Sequence, residues 1–264
     1  RPLARVFYTY RRFLFWGKTL LHRYWPGGYG YMRTLRNHKE AFEASREMKL
    51  RYGRADNWQA QSNGSILRRQ YNSYEDYVAH QKEKFDNIIT SSGGQSAAVI
   101  EQYRWRFYHR FKGLQGFLPR SAIILCAGAR QGTEVEVLRD LGFQNAYGID
   151  LNPGPDNPYV VEGDFMNIDA ATDSIDCIYT NCIDHAFDLN QFFAEHARVI
   201  KPDGYVLYDF SISTVQPGSF EATSWEHEHD AVILALRYFD KIIHMERDIN
   251  QDWMWILMRG KRQH

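Results

Sequence analysis

Two glycines and two acids carry the first chemical signal. Gly128 and Gly132 flank a turn in ILCAGARQGTEV, where an apolar run passes into a helical pattern. Such a turn lets backbone approach a ligand with no side chain in the way. Asp150 closes the next apolar run, roughly 20 residues beyond the turn, where a carboxylate can accept hydrogen bonds from both hydroxyls of a ribose. Asp164 closes the run after that, in EGDF. It can accept a hydrogen bond from an adenine amino group while Phe165 flanks the ring. Together these positions describe an adenosine site that requires no phosphate. A strand-end acid can also cap a loop, so each position keeps that structural alternative.

Positioning these residues requires strands that end together. From Ala122 onward, short apolar runs alternate with amphipathic segments. The runs are Ala122 to Ala127, Ala146 to Asp150, Tyr159 to Asp164, Ile175 to Thr180 and Tyr205 to Phe210, with helical patterns over Glu134 to Leu141 and Leu189 to Ile200. This alternation predicts a parallel sheet with helices on both faces. Two further runs, Lys241 to Arg247 and Trp253 to Arg259, flank a turn-like stretch and predict a hairpin.

The N-terminal half has a different texture. Val6 to Trp25 mixes arginines with aromatics, a composition suited to a membrane interface, to nucleobase stacking, or to an arm packed on its own domain. Helices are expected over Thr34 to Arg51, from a capping Ser73 to about Ile89, and over Ser96 to Phe111. Tyr103, Phe107 and Phe111 form a stripe on the last of these, read as core. The expected division is a basic, mainly helical region over 1–118 and a ligand-binding domain over 119–264.

Net charge is zero, with 32 Lys and Arg against 32 Asp and Glu. Up to Arg120, however, there are 22 basic and 9 acidic residues, leaving 10 and 23 beyond it. The halves can therefore dock electrostatically, within one molecule or between subunits. A basic surface left exposed would instead suit an anionic partner. Cys126, Cys177 and Cys182 make an odd count with no paired spacing, which argues against a disulfide framework or zinc site and for a reducing, cytoplasmic setting. No run is long and apolar enough to suggest a transmembrane helix. A chain opening on Arg1 reads as part of a longer protein.

From Pro119 to Arg259 the sequence resembles the class I S-adenosylmethionine-dependent methyltransferases, especially their type-11-like branch. The resemblance rests on ILCAGARQG, YGIDLNP, EGDF, the run SIDCIYTN and RVIKPDG, in that order. It implies a seven-stranded Rossmann-like sheet, mostly parallel with a reversed last strand. It also implies S-adenosyl-L-methionine as cofactor, held by Cys126, Gly128, Ala129, Arg130 and Gly132 at the turn, Asp150 and Leu151 after the second strand, Gly163, Asp164 and Phe165 after the third, and Asn181 after the fourth. Two positions depart from the family pattern. Cys126 replaces the usual acid closing the first strand, and Arg130 replaces a frequent middle glycine. Glu134 or a backbone carbonyl would have to take over the contact to the methionine amino group. A dinucleotide oxidoreductase shares the first two strands, but Arg130 and Gln131 interrupt its G-x-G-x-x-G spacing.

The fold implied by the resemblance brings Tyr179 to Phe187 to the reaction centre. Methyl transfer depends on aligning the acceptor, and a hydroxyl or amine acceptor also benefits from a base. His185 is the candidate base, with Asp184 or Asp188 as orienter; capping a helix or contacting the cofactor is the alternative role. The cluster Ser224 to Asp230 does not favour a metal, since Glu226 and Asp230 share a helical face that His227 and His229 do not. It is expected to be an acidic helix start beside the acceptor pocket, with Trp225 as possible lining. Because no recognised RNA-binding motif appears, the expected reaction is O-methylation of a carbohydrate, such as a polysaccharide or lipid-linked glycan, or of another small-molecule hydroxyl. The alternatives are a nucleic-acid methyltransferase gripping phosphates through the basic half, and a catalytically silent protein of the same fold. Peripheral membrane contact through the N-terminal arm and homo-oligomerisation are further possibilities.

Overall fold

A computed structural model describes residues 58–61, 65–92, 97–211, 220–225, 227–248 and 253–262. The readings on Val6 to Trp25, on Thr34 to Arg51 and on Glu226 lie outside the described residues.

Strands β1 (Trp58–Gln61) and β2 (Ile66–Arg69) open the described part, followed by helices α1 (Tyr74–Ser92) and α2 (Ala97–Phe111). The Ser73 hydroxyl accepts the Asp76 amide at 3.2 Å, so the expected cap starts α1. The alternating part follows as β3 (Ile124–Ala127), α3 (Thr133–Asp140), β4 (Ala146–Asp150), β5 (Val160–Glu162), β6 (Ile175–Thr180), α4 (Leu189–Val199) and β7 (Ile200–Ser211). It ends with β8 (Thr223–Trp225), α5 (Glu228–Ala235), β9 (Phe239–Asp248) and β10 (Trp253–Lys261).

Seven strands form one sheet in the order β5-β4-β3-β6-β7-β10-β9. β5 to β7 pair in parallel, and β10 runs antiparallel to both of its neighbours. The strand order reverses direction between β3 and β6, which opens a crevice at the carboxyl ends of these strands. This is the sheet expected from the sequence, with its reversed strand in place.

Strand alternation divides the core between the two faces. Val206, Tyr208 and Phe210 of β7 join Met254, Ile256 and Met258 of β10 in one apolar cluster with α4 and α5. Tyr205, Leu207, Trp255 and Leu257 belong to the other, together with Phe107 and Phe111 of α2 and Val135 and Leu138 of α3. The aromatic stripe of α2 is thus core at Phe107 and Phe111, both buried, and α2 is built onto the sheet.

Opposite charges link the described basic segments to the acidic part. Arg104 pairs with Glu136 and Asp140 of α3, Lys82 with Glu162, and Arg68 with Asp188. Arg106 and Arg110 both reach the buried Asp209 of β7, at 2.8 and 3.2 Å. Their guanidinium groups stack over Trp253 and Trp255 of β10. Docking within one molecule therefore accounts for these cations.

A second sheet of three antiparallel strands, β1-β2-β8, is absent from the sequence expectation. It claims Thr223–Trp225, so the expected helix start at 224 moves to Glu228. Trp225 is 1% exposed and donates its indole N–H to the Ser211 carbonyl, so it belongs to the core and not to a pocket lining. Among the described residues no helix is long and apolar enough to cross a membrane, and no group of acids, histidines and cysteines is arranged to hold a metal ion.

Candidate active site

The turn between β3 and α3 is built from three left-handed residues. Gly128, Arg130 and Gly132 have φ of +77°, +45° and +83°. Only the middle one carries a side chain, at a cost of about 1 kcal/mol for a non-glycine residue in this region. Arg130 is held there from two sides: its amide N–H donates to Asp150 Oδ2 at 2.8 Å, and its carbonyl accepts from Asn157 Nδ2 at 3.2 Å. Asn157 also accepts the amides of Tyr159 and Val160, both at 3.0 Å, so the loop after β4 braces the turn. These contacts explain how the turn survives without its middle glycine.

Two adjoining cavities meet at Gly128, Arg130 and Cys182. The first is walled by the turn, by Thr133 and Glu134 of α3, by Asn181 and by Tyr103 and Phe107 of α2. The second adds Asp150 and Leu151 after β4, Phe165, His185, and Tyr77 and Gln81 of α1. A methyl group on Gly128 would stand 3.1 Å from Cys182 Sγ and close the junction. The cleft can therefore accept an extended ligand passing over backbone at Gly128, with an acidic side chain in each arm.

Of the residues expected to touch the cofactor, Gly128, Ala129, Arg130, Asp150, Leu151, Phe165 and Asn181 line this cleft. Four do not. Cys126 is fully buried in the core beneath the turn, where burial first, then Glu134 and Cys177, push its thiol well above the usual range. Gly132 caps α3 against Val160, and Gly163 packs on Ile149. Asp164 faces a separate groove with Met166 and Asn167; its two oxygens accept the Tyr74 hydroxyl and, at 2.7 Å, the Met166 amide. Burial and the Asp164 contact both raise the Tyr74 hydroxyl far above its ordinary value, so Tyr74 stays a donor.

His185 lies in a short 3-10 turn, Ile183–His185, after β6. Its Nδ1 is 2.9 Å from the Phe220 carbonyl, which can only accept, so Nδ1 carries a proton. Asp184 Oδ1 lies 3.9 Å from Nε2. Asp188 is no orienter: it caps α4 by accepting the amides of Asn190 and Gln191 at 2.9 and 3.1 Å. The Tyr77 hydroxyl donates to the His185 carbonyl at 2.9 Å and ties α1 to this turn.

Sequence reasoning did not assign Tyr77, Gln81, Tyr103 or Phe107 to the cleft. Their helices lie outside the alternating part of the sequence, and the only local signal was the apolar stripe on α2. Cys182 was also missed; its thiol faces the Gly128 carbonyl at 3.6 Å.

A seven-stranded sheet with a reversed β10, carrying a glycine turn and strand-end acid at its switch point, has the architecture of a class I S-adenosylmethionine-dependent methyltransferase. Residues 125–208 match the family model described as a methyltransferase domain, and the chain carries such a domain, with S-adenosylmethionine as its cofactor. No curated protein matches the sequence. Among solved structures, the chain is similar to a Burkholderia thailandensis 1,6-didemethyltoxoflavin-N1-methyltransferase with bound 1,6-didemethyltoxoflavin and S-adenosylhomocysteine. Identity is 13% over 78% of this chain and 100% of that one, with a TM-score of 0.57. A Haloferax volcanii chain from a complex with the Trm112 methyltransferase activator aligns at 15% identity over 68% and 98%, with a TM-score of 0.52. A Pyrococcus horikoshii protein aligns at 19% identity over 60% and 91%, with a TM-score of 0.50. At these identities the likeness is one of fold.

Proposed function

We propose that the protein methylates a hydroxyl oxygen, on a carbohydrate or another small molecule, with His185 taking the acceptor's proton. The single observation behind this reading is the polarity of His185: its Nδ1 is engaged by a carbonyl, and its ring borders the cavity that also contains Asp150 and Phe165.

The cofactor supplies an electrophilic methyl group on a sulfonium, displaced in line by the acceptor oxygen. The turn backbone at Gly128 and Ala129 would hold the amino-acid end, and Asp150 the ribose. Tyr77 and Gln81 of α1 line the second cavity. His185 Nε2 would accept the hydroxyl proton as the new C–O bond forms, and Asp184 would stabilise the resulting imidazolium. A base matters more for a hydroxyl than for an amine already neutral at the reacting nitrogen, and it is this demand that favours an oxygen acceptor. Arg106 and Arg110 of the basic half are engaged with Asp209 and with indole rings, which argues against their use as phosphate clamps.

The test is transfer of labelled methyl from S-adenosylmethionine across a panel of glycans, small hydroxyl compounds, amines and RNA. Product from the hydroxyl set, reduced roughly 100-fold or more by His185→Ala with unchanged cofactor affinity, is the expected result. Methylation of RNA or amines alone would displace the oxygen-acceptor reading.

A further inference from the structure

The first cavity contains a buried carboxyl that has no ion-pair partner among the described residues. Glu134, the second residue of α3, is 6% exposed and shares the cavity wall with Gly128, Ala129, Arg130 and Asn181. No described cation lies within ion-pair distance of it. Arg104 is committed to Glu136 and Asp140, and Arg106 to Asp209. An acid placed this way is costly unless it is neutral or meets a positive ligand.

We infer that Glu134 is the group that binds the ammonium of the cofactor's amino-acid moiety, and that it gives up its proton when the cofactor enters. This assignment rests on the cofactor reading above. At the end of β3, directly under the turn, stands Cys126, buried and unable to face the ligand. Glu134 enters the same cavity from the helix on the far side of the turn. Burial is the main force on its carboxyl and raises it to about 8, so near neutrality the free protein holds a carboxylic acid there.

Charged and titratable groups reach Glu134 from every side. Arg106 of α2 and Arg130 of the turn favour its carboxylate, as does its own amide N–H, while Asp150 after β4 opposes it. Cys126 of β3 and Tyr179 of β6 also lie within its field and are held in their neutral forms, chiefly by burial. Entry of a cation tips this balance: the carboxyl O–H proton leaves to solvent, and the resulting carboxylate accepts an N–H from the ligand ammonium. One proton is released for each ligand bound.

Calorimetric titration of S-adenosylhomocysteine at pH 7, run in phosphate and in Tris, reads that proton through the different ionisation heats of the buffers. The wild-type protein should release close to one proton per ligand. Glu134→Gln should release none and bind roughly tenfold more weakly or worse. The control ligand is 5′-methylthioadenosine, which keeps the adenosine and lacks the amino acid. It should bind both proteins alike and release no proton, which also shows that the variant is folded. Equal S-adenosylhomocysteine affinity in the two proteins, or the same proton count, would overturn the role of Glu134. Failure of the folded wild type to bind either ligand would remove the cofactor reading itself, and this assignment with it.

Discussion

Asp150 Oδ2 accepts the Arg130 amide N–H at 2.8 Å, while Asp150 Oδ1 accepts the Asn152 amide at 2.9 Å. The acid at the end of β4 therefore shapes the glycine turn from one strand away, in addition to facing the cleft. Its role as a loop cap is thus present in the structure, and the same side chain borders the cleft where the proposed ribose contact would fall.

Substitution can separate these two roles. Asp150→Ala should lower stability by about 1–3 kcal/mol, since it strands two backbone donors, and should weaken S-adenosylhomocysteine binding about 100-fold. Asp150→Asn keeps one acceptor for the turn and is expected to recover part of the stability while binding stays weak. Urea unfolding and calorimetry on the same samples check both arms. Full binding by either variant would leave Asp150 a structural brace alone.

Asp209 is the most exacting electrostatic position. Its side chain is fully buried with Arg106 and Arg110, whose side chains are 12% and 4% exposed. Asp209 Oδ1, Arg106 Nε and Arg110 Nη2 have no hydrogen-bond partner among the described residues, so the cluster has little reserve. Removing the single carboxylate leaves two buried cations. Asp209→Ala should cost on the order of 3–5 kcal/mol by chemical denaturation. A loss below 1 kcal/mol would mean that the stacking of both arginines on Trp253 and Trp255 suffices by itself.

His196 predicts a pH dependence of stability. It is fully buried, its Nδ1 is 2.8 Å from the Tyr208 hydroxyl, and burial lowers it to about 3 from an ordinary 6.5. The unfolded chain takes up a proton below 6.5 that the folded chain refuses. Its contribution is therefore complete above pH 6.5 and is lost as pH falls towards 3. Between pH 7.5 and 5 the wild type should lose about 2 kcal/mol more than His196→Phe, which cannot titrate. Parallel pH profiles for the two proteins would contradict this assignment.

The sheet was legible because its signals are local. Ala146–Asp150 and Ile175–Thr180 begin and end where the apolar runs do, since the strands next to the sheet centre are buried on both faces and their composition changes abruptly at the ends. β7 proved longer than its apolar core, because α4 passes directly into it at Ile200. β1, β2 and β8 were not legible. They are three or four residues long, and β8 pairs with a partner more than 150 residues away in sequence, which leaves no periodic trace.

The candidate site follows the same division. Turn residues and the strand-end Asp150 could be read from spacing, whereas the helix-borne Tyr77 and Tyr103 could not. Asp164 shows a further limit: its place at a strand end was evident, but the Tyr74 hydroxyl that occupies it comes from 90 residues upstream. Cys126 was drawn to the ligand by its position at the end of β3, yet the alternation of side chains along that strand turns it into the core.

The placement of β10 has a consequence for biosynthesis. Residues 253–261 fill the slot between β7 and β9, although both neighbours precede them in sequence. While a ribosome is still extending the chain through β9, that strand has no sheet to join, and β7 exposes an unpaired apolar edge. The tryptophans that cover Arg106 and Arg110 also arrive only with this segment. The nascent protein therefore carries an aggregation-prone edge until this strand has emerged, and a chain arrested before Trp253 is a natural client for chaperones.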